Sequence, residues 1–187
     1  MHEPGALWLP NNNYFPARNG YTPRYVILHG TAGFTSAEAV AAFFKSTEKG
    51  NDPVSTHYII DLNGKVVQCI DEQHGAFANG CISGLPGISG DRVHHDPWWS
   101  HNLNPNYITI SIEHVKPARD NSDELTELQK QASFELVRRI CKRHNIPRRW
   151  ADGVGGITGH YSMDPVQRSF CPGPYPWDEL FAFLQYR

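Results

Sequence analysis

The sequence is poor in cysteine and has no long apolar run. Four cysteines, Cys69, Cys81, Cys141 and Cys171, are spread over 187 residues, too few and too scattered for a disulfide-dense secreted scaffold. No stretch approaches the roughly 18 apolar residues of a membrane span. The start, Met1-His2-Glu3-Pro4, lacks the basic and apolar regions of a signal peptide. Positive charge is in no excess either: 17 Lys plus Arg against 19 Asp plus Glu give a formal charge of -2, so no basic field draws the chain to nucleic acid or anionic lipid. What is plentiful is histidine (10), tryptophan (5), glycine (16) and proline (14). That composition describes loop-rich architecture with imidazoles available for chemistry. With 40% hydrophobic residues the chain can bury one core, and its length allows one domain.

Residues 1–22 read as a Pro/Asn/Gly/aromatic arm lying on a domain of residues 23–187. The β-branched run that ends in His29-Gly30 predicts a strand buried on both faces. A helix follows, with Thr35 and Glu38 as a capping box and Ala39, Val40, Phe43 and Phe44 at helical spacing. Asn63-Gly64 joins two predicted antiparallel strands, 56–61 and 65–70. Residues 108–115 alternate, with isoleucines on one face and Thr109, Ser111 and Glu113 on the other. Leu125, Leu128, Ala132, Leu136, Ile140 and His144 form the stripe of the longest helix, closed by Pro147. A short edge strand delivers His160, and Trp177, Leu180, Phe181 and Leu184 mark a last helix after Pro176. Strands alternating with helices predict an α/β single domain with a mixed central β-sheet flanked by helices.

The chemistry is sought among the histidines. His29 ends a buried strand before Gly30-Thr31-Ala32-Gly33, His160 follows Gly159, and Cys171 lies in Phe170-Cys171-Pro172-Gly173. Two imidazoles and a thiolate are ligands of the kind Zn²⁺ takes, and three of them leave a position open, as catalytic sites require. Glu113 reads either as a solvent-facing charge on a half-exposed sheet or as the general base that takes a proton from a zinc-activated water and returns it to the leaving amine. His114 turns to the isoleucine face and reads as a supporting or core histidine. The long aperiodic stretch 75–106 reads as one wall of a substrate cleft with Trp98 or Trp99 contacting substrate, with packing as the competing reading. Around those tryptophans, His94, His95, Asp96 and His101 read as a surface loop, with a second metal or substrate binding as alternatives.

The strand ending His29-Gly30-Thr31-Ala32-Gly33, the hairpin Thr56-His57-Tyr58-Ile59-Ile60-Asp61-Leu62-Asn63-Gly64, the strand Ser111-Ile112-Glu113, and Thr158-Gly159-His160 followed by Ser169-Phe170-Cys171-Pro172-Gly173 occur in that order. Together they resemble the zinc-dependent N-acetylmuramoyl-L-alanine amidases of the type-2 amidase and peptidoglycan recognition protein superfamily, from about Arg24 onward. The resemblance implies one Zn²⁺ per chain on His29, His160 and Cys171, a catalytic Glu113, and an oxyanion donor at Ser169 or Arg168. It also places His57, Phe77 and Asn79 near substrate. Where some relatives carry Tyr before the hairpin histidine this chain has Thr56. Where many read Ala-Trp-His-Ala-Gly it has Ala76-Phe77-Ala78-Asn79-Gly80. Cys171 as third ligand leans towards wall lysis, of endolysin or autolysin type, over recycling.

The activity expected is hydrolysis of the amide between N-acetylmuramic acid and L-Ala of peptidoglycan by a monomer acting on the cell wall, whether extracellular, periplasmic or phage-released. A binding-only peptidoglycan receptor on the same fold would need neither the ligands nor Glu113. A metal nuclease is disfavoured by thiolate ligation, since phosphoryl chemistry usually wants Mg²⁺ and carboxylates.

Overall fold

A computed structural model describes residues 2–80, 95–100 and 102–186. Among these residues eight strands and three α-helices follow in the order β1 (Leu7–Trp8), β2 (Tyr14–Phe15), β3 (Tyr25–Gly30), α1 (Ala37–Ser46), β4 (Tyr58–Ile60), β5 (Val66–Gln68), β6 (Gly75–Ala76), β7 (Thr109–His114), α2 (Glu127–His144), β8 (Gly156–Gly159) and α3 (Trp177–Gln185). Six strands form one sheet in the order β1-β5-β4-β7-β3-β8, and β2 pairs with β6 apart from it. Within the sheet only β4 and β5 run antiparallel, joined through the predicted Asn63-Gly64 turn, where Gly64 takes φ +81°. The sheet is therefore mixed. No helix among the described residues is long and apolar enough to cross a membrane.

The period of two sorts the side chains of the central strands between two layers. Val26, Leu28, Tyr58, Ile60, Ile110, Ile112 and Ile157 pack with residues of α2 and α3. On the other side Ile59 and Val67 meet α1, while Tyr25 and Ile27 join Trp99, Ile108, Ala151 and Met163. At about 25 cal/mol per Å², each fully buried Ile or Leu in these layers adds roughly 1.5–3 kcal/mol of burial energy. β3 and β7 lie between neighbours on both sides and are covered on both faces. The expectation of a half-exposed face on β7 is corrected here: Thr109 and Ser111 are 1% and 0% exposed, because the segments around β6 and the arm cover them.

Three helix expectations shift. Ser36, not Thr35, caps α1 by accepting from the Ala39 N–H. The buried stripe is Ala37, Val40, Ala41 and Phe44, while Phe43 is turned outward. In α2 Leu128 is exposed and Gln129 is buried. The amide Nε2 of Gln129 donates to Ile60 O and Val115 O at 3.0 Å each, so a polar residue takes the inward position by capping the ends of β4 and β7.

Candidate active site

β3 and β7 are parallel neighbours in register, with His29 opposite Glu113. Alternation places both on the face away from α2 and α3, at the C-terminal ends of their strands. β8 lies on the other side of β3 and delivers His160 one residue past its end. The turn after residue 168 brings Cys171 back, its N–H donating to Arg168 O and its carbonyl accepting from Tyr161 N–H. Sequence positions 29, 113, 160 and 171 thus meet at one end of the sheet, where ligand sites of open α/β sheets gather.

One ligand atom from each of His29, His160 and Cys171 lies within 4.8 Å of the other two. Zn²⁺ bonds of about 2.0–2.3 Å set tetrahedral ligands about 3.3–3.6 Å apart, so closure requires only small side-chain movements. The imidazole centroids of His29 and His160 are 4.7 Å apart. Nε2 of each ring is buried without a hydrogen-bond partner, and so is Oε2 of Glu113. Such orphaned groups are costly in a folded interior, and three at one point mark a place built for a ligand.

The electrostatics agree. Burial drives the His29 imidazole well below its ordinary value, with His160, His114 and Arg168 adding to the effect. Burial and then Arg168 bring His160 to about 3. Both rings are therefore neutral at pH 7 and offer lone pairs. Burial, then the neighbouring Glu113, push the Cys171 thiol up to about 12, and burial pushes Glu113 up to about 8 against the pull of Arg168. A cation at this point reverses both shifts, since ligating thiols are deprotonated as metal binds. The donor set fits Zn²⁺.

These groups open into a cavity of about 490 Å³ lined also by Thr31, Phe43, Phe77, Arg119, Ser169 and Phe170. A second cavity of about 410 Å³ shares Phe77, His160 and Arg168 with it and continues past Asn51, Asp52 and Asn104. Arg168 and Ser169 both stand on the exposed lip, and Arg168 is the cation whose charge reaches His29, Glu113, His160 and Cys171.

The predicted substrate contacts divide. Phe77 lines both cavities. His57 does not reach either: it is 0% exposed, its Nδ1 accepts from Ser111 N–H at 3.1 Å, and its Nε2 sits 2.9 Å from both Arg18 Nη2 and the His74 carbonyl. Asn79 borders the second cavity, but its Nδ2 is spent on Asn106, Thr109 and Ser111 and its Oδ1 is enclosed. Trp99 is 3% exposed, packs on Tyr25 at 4.8 Å and donates to Ser162 Oγ. Trp98 packs against the same apolar cluster. Trp99 is thus a packed residue and Trp98 is partly buried beside it; neither lines either of the two cavities. His94 and His101 lie outside the described residues; of their cluster, His95 Nδ1 lies 2.7 Å from the Asp96 carbonyl. His114, buried, reaches His29 O at 2.9 Å and Ser133 Oγ at 2.8 Å. Arg119 at the cavity had no motif to announce it, Thr31 stood in the segment after His29 without a role, and Phe43, expected in the buried stripe of α1, lines the cavity instead.

The family described as N-acetylmuramoyl-L-alanine amidase (Amidase_2) matches residues 19–174. N-acetylmuramoyl-L-alanine amidase A of Achromobacter lyticus is 27% identical over 196 residues, covering 96% of this chain and 93% of that protein. Among solved structures, a selenomethionine AmpD derivative superposes with TM-score 0.74 at 19% identity, covering 98% of this chain and 96% of that one. The amidase LysC from Clostridium intestinale URNW does so with TM-score 0.64 at 16% identity, covering 99% and 100%. With the family matched over most of its length, this chain belongs to the N-acetylmuramoyl-L-alanine amidases of the type-2 superfamily, hydrolases that act on peptidoglycan.

Proposed function

We propose that His29, His160 and Cys171 hold one Zn²⁺, and that the site hydrolyses the amide between the lactyl group of N-acetylmuramic acid and L-Ala. The carrying observation is the meeting of three ligand atoms within 4.8 Å with an unpartnered Glu113 Oε2 beside them. Zn²⁺ bound at that point would supply Lewis acidity towards the amide carbonyl and would acidify a water to a pKa of about 7.

This chain's residues do the rest. Glu113, held by its register with His29, takes a proton from the attacking water and hands it to the departing amine of L-Ala. The Arg168 guanidinium supplies hydrogen-bond donors and positive charge for the carbonyl oxygen as negative charge builds there. Ser169 beside it adds a hydroxyl. The two joined cavities give the glycan and the stem peptide separate arms on either side of the scissile bond, with Phe77 at the junction. Cys171 as the third ligand favours wall lysis over recycling, and the unpartnered Glu113 favours an enzyme over a binding-only receptor, which has no use for a buried orphan carboxyl.

Metal analysis of the purified chain together with mass spectrometry of digested peptidoglycan tests site and bond at once. One zinc per chain and release of peptides with a free L-Ala amine are expected. Full zinc occupancy in a His29→Ala/His160→Ala variant, or products cut at another bond, overturns the reading. Arg168→Ala should keep zinc and lose about 10²–10³-fold in kcat.

A further inference from the structure

Lys116 stands three residues beyond Glu113 and is 0% exposed. Taking an ammonium out of water costs several kcal/mol, yet no carboxylate forms an ion pair with it among the described residues. Its Nζ donates instead to two main-chain carbonyls, Pro174 O at 2.9 Å and Asn121 O at 3.4 Å. The turn after Cys171 closes directly over it: a Cβ on Gly173 would come within 3.0 Å of Nζ and would overlap Asn121 O. Gly173, at φ +79°, is glycine for that reason.

The same residue is tied to the chain that follows His29. Lys116 N–H donates to Thr31 Oγ1 at 2.9 Å, and Lys116 O accepts from Gly33 N–H at 2.9 Å. Asn121 completes the clasp, its Oδ1 accepting from Ala32 N–H at 2.8 Å. Lys116 and Asn121 therefore bind together the three segments that run out from His29, Glu113 and Cys171. A methionine would fill the space without the cost of a buried charge, so the ammonium has work that packing does not explain.

We propose that Lys116 is a positioning residue for the metal centre: by holding the carbonyl of Pro174 and the turn at Gly173, its ammonium sets where the Cys171 sulfur stands relative to His29 and His160. The role rests on the reading of Cys171 as a ligand. Asp123, then Cys171 and Glu124, lie near enough for their charge to reach Lys116, so an anionic sulfur adds to the charges that favour the ammonium in the assembled site.

The test compares wild type and Lys116→Met as full chains, by zinc affinity in competition with a chromogenic chelator and by the thiolate-to-metal charge-transfer band of the Co²⁺-loaded protein. Outer partners of metal ligands typically contribute 10–100-fold to affinity. Lys116→Met should bind zinc about tenfold more weakly or worse and show a weakened or shifted band. Ile140→Val, a small loss in the distant α2 layer, should change neither. Gly173→Ala displaces the same turn with the ammonium in place and should weaken zinc binding likewise, which keeps the test open if Lys116→Met does not fold. Wild-type affinity and an unchanged band in either folded variant overturn the role. A wild-type chain that binds no zinc removes the metal reading itself, a distinguishable result.

Discussion

At the start of β7 the Thr109 carbonyl accepts from Arg18 Nη1 at 2.8 Å. About 13 Å further along the same strand, at roughly 3.3 Å per residue, Glu113 Oε2 is equally enclosed and accepts from nothing. The contrast extends to the neighbours of each. Around the first point Arg18, 1% exposed, also donates to Glu72 O at 2.7 Å. The Glu72 carboxylate receives Tyr58 Oη at 2.6 Å, Arg143 at 2.6 and 3.0 Å, and lies 2.8 Å from His144 Nε2. Arg143 and Arg139 hold Glu3 of the arm in turn. Around the second point two imidazole nitrogens and a carboxylate oxygen are left open. The buried carboxylate of Glu72 is saturated by the fold, whereas the buried ring nitrogens and the carboxylate oxygen around Glu113 are left without a hydrogen-bond partner, as a site awaiting a ligand would be.

The largest expected effect tests the open end. Glu113→Gln keeps size and removes the proposed proton carrier, so activity on peptidoglycan should fall about 10²–10⁴-fold. Zinc content and melting temperature should stay near wild type, because no protein group depends on Oε2. A collapse in stability with activity per folded molecule retained would make Glu113 a structural residue like Glu72 and erase the contrast.

Glu72→Gln is the converse. It leaves Arg143 and His144 facing an amide in an enclosed network, and breaking such a pair costs about 3–5 kcal/mol. Urea unfolding should show that loss as a lower midpoint with unchanged slope, while kcat of the folded enzyme stays the same. Reduced zinc binding in this variant would couple the two ends of the strand.

Acid should then reveal the same carboxylate in the wild type. Burial by itself raises the Glu72 carboxyl, but hydrogen bonds from His144, Arg143 and Tyr58 more than reverse this and bring it from 4.5 down to about 2. With the folded value depressed, the unfolded chain binds the proton more readily. The stabilisation is complete above about pH 4.5 and is lost as pH falls towards 2, by about 3 kcal/mol in all. The stability gap between wild type and Glu72→Gln should therefore shrink over that interval. A gap constant from pH 6 to pH 2 would show that Glu72 does not titrate within it.

The two ends also differ in how far the sequence discloses them. His29, Glu113, His160 and Cys171 are legible because each stands beside a local signal: a strand end, a strict alternation, a glycine, a Pro-Gly turn. The hairpin at Asn63-Gly64 and the stripe of α3 are legible for the same reason. Arg18, Glu72 and Lys116 carry no such mark, since what defines them is contact across 54 to 91 residues of chain or a fit beneath a turn. The tryptophan pair left two readings open for a physical reason: large aromatic side chains serve a core and a cleft equally well, and periodicity is silent in loops. For His57 the reason is different. It lies in the hairpin that resembles the family, and only the Arg18 guanidinium and the Ser111 N–H closing on its ring show that it is inside.

The smallest effect concerns Ser169, on the exposed lip between these extremes. Its hydroxyl is solvated before substrate arrives, so a hydrogen bond to the carbonyl oxygen exchanges one polar partner for another. Exchanges of this kind are worth about 0.5–1.5 kcal/mol net, in contrast to the charge-assisted donors of Arg168 next to it. Ser169→Ala should therefore lower kcat/KM by no more than about tenfold and leave zinc affinity and melting temperature alone, since no buried group loses a partner. Kinetics on intact peptidoglycan with the Ser169→Ala and Arg168→Ala variants separate the two donors. A loss of 10²-fold or more at Ser169, with Arg168→Ala near wild type, would transfer the proposed oxyanion role from the guanidinium to the neutral hydroxyl on the exposed lip.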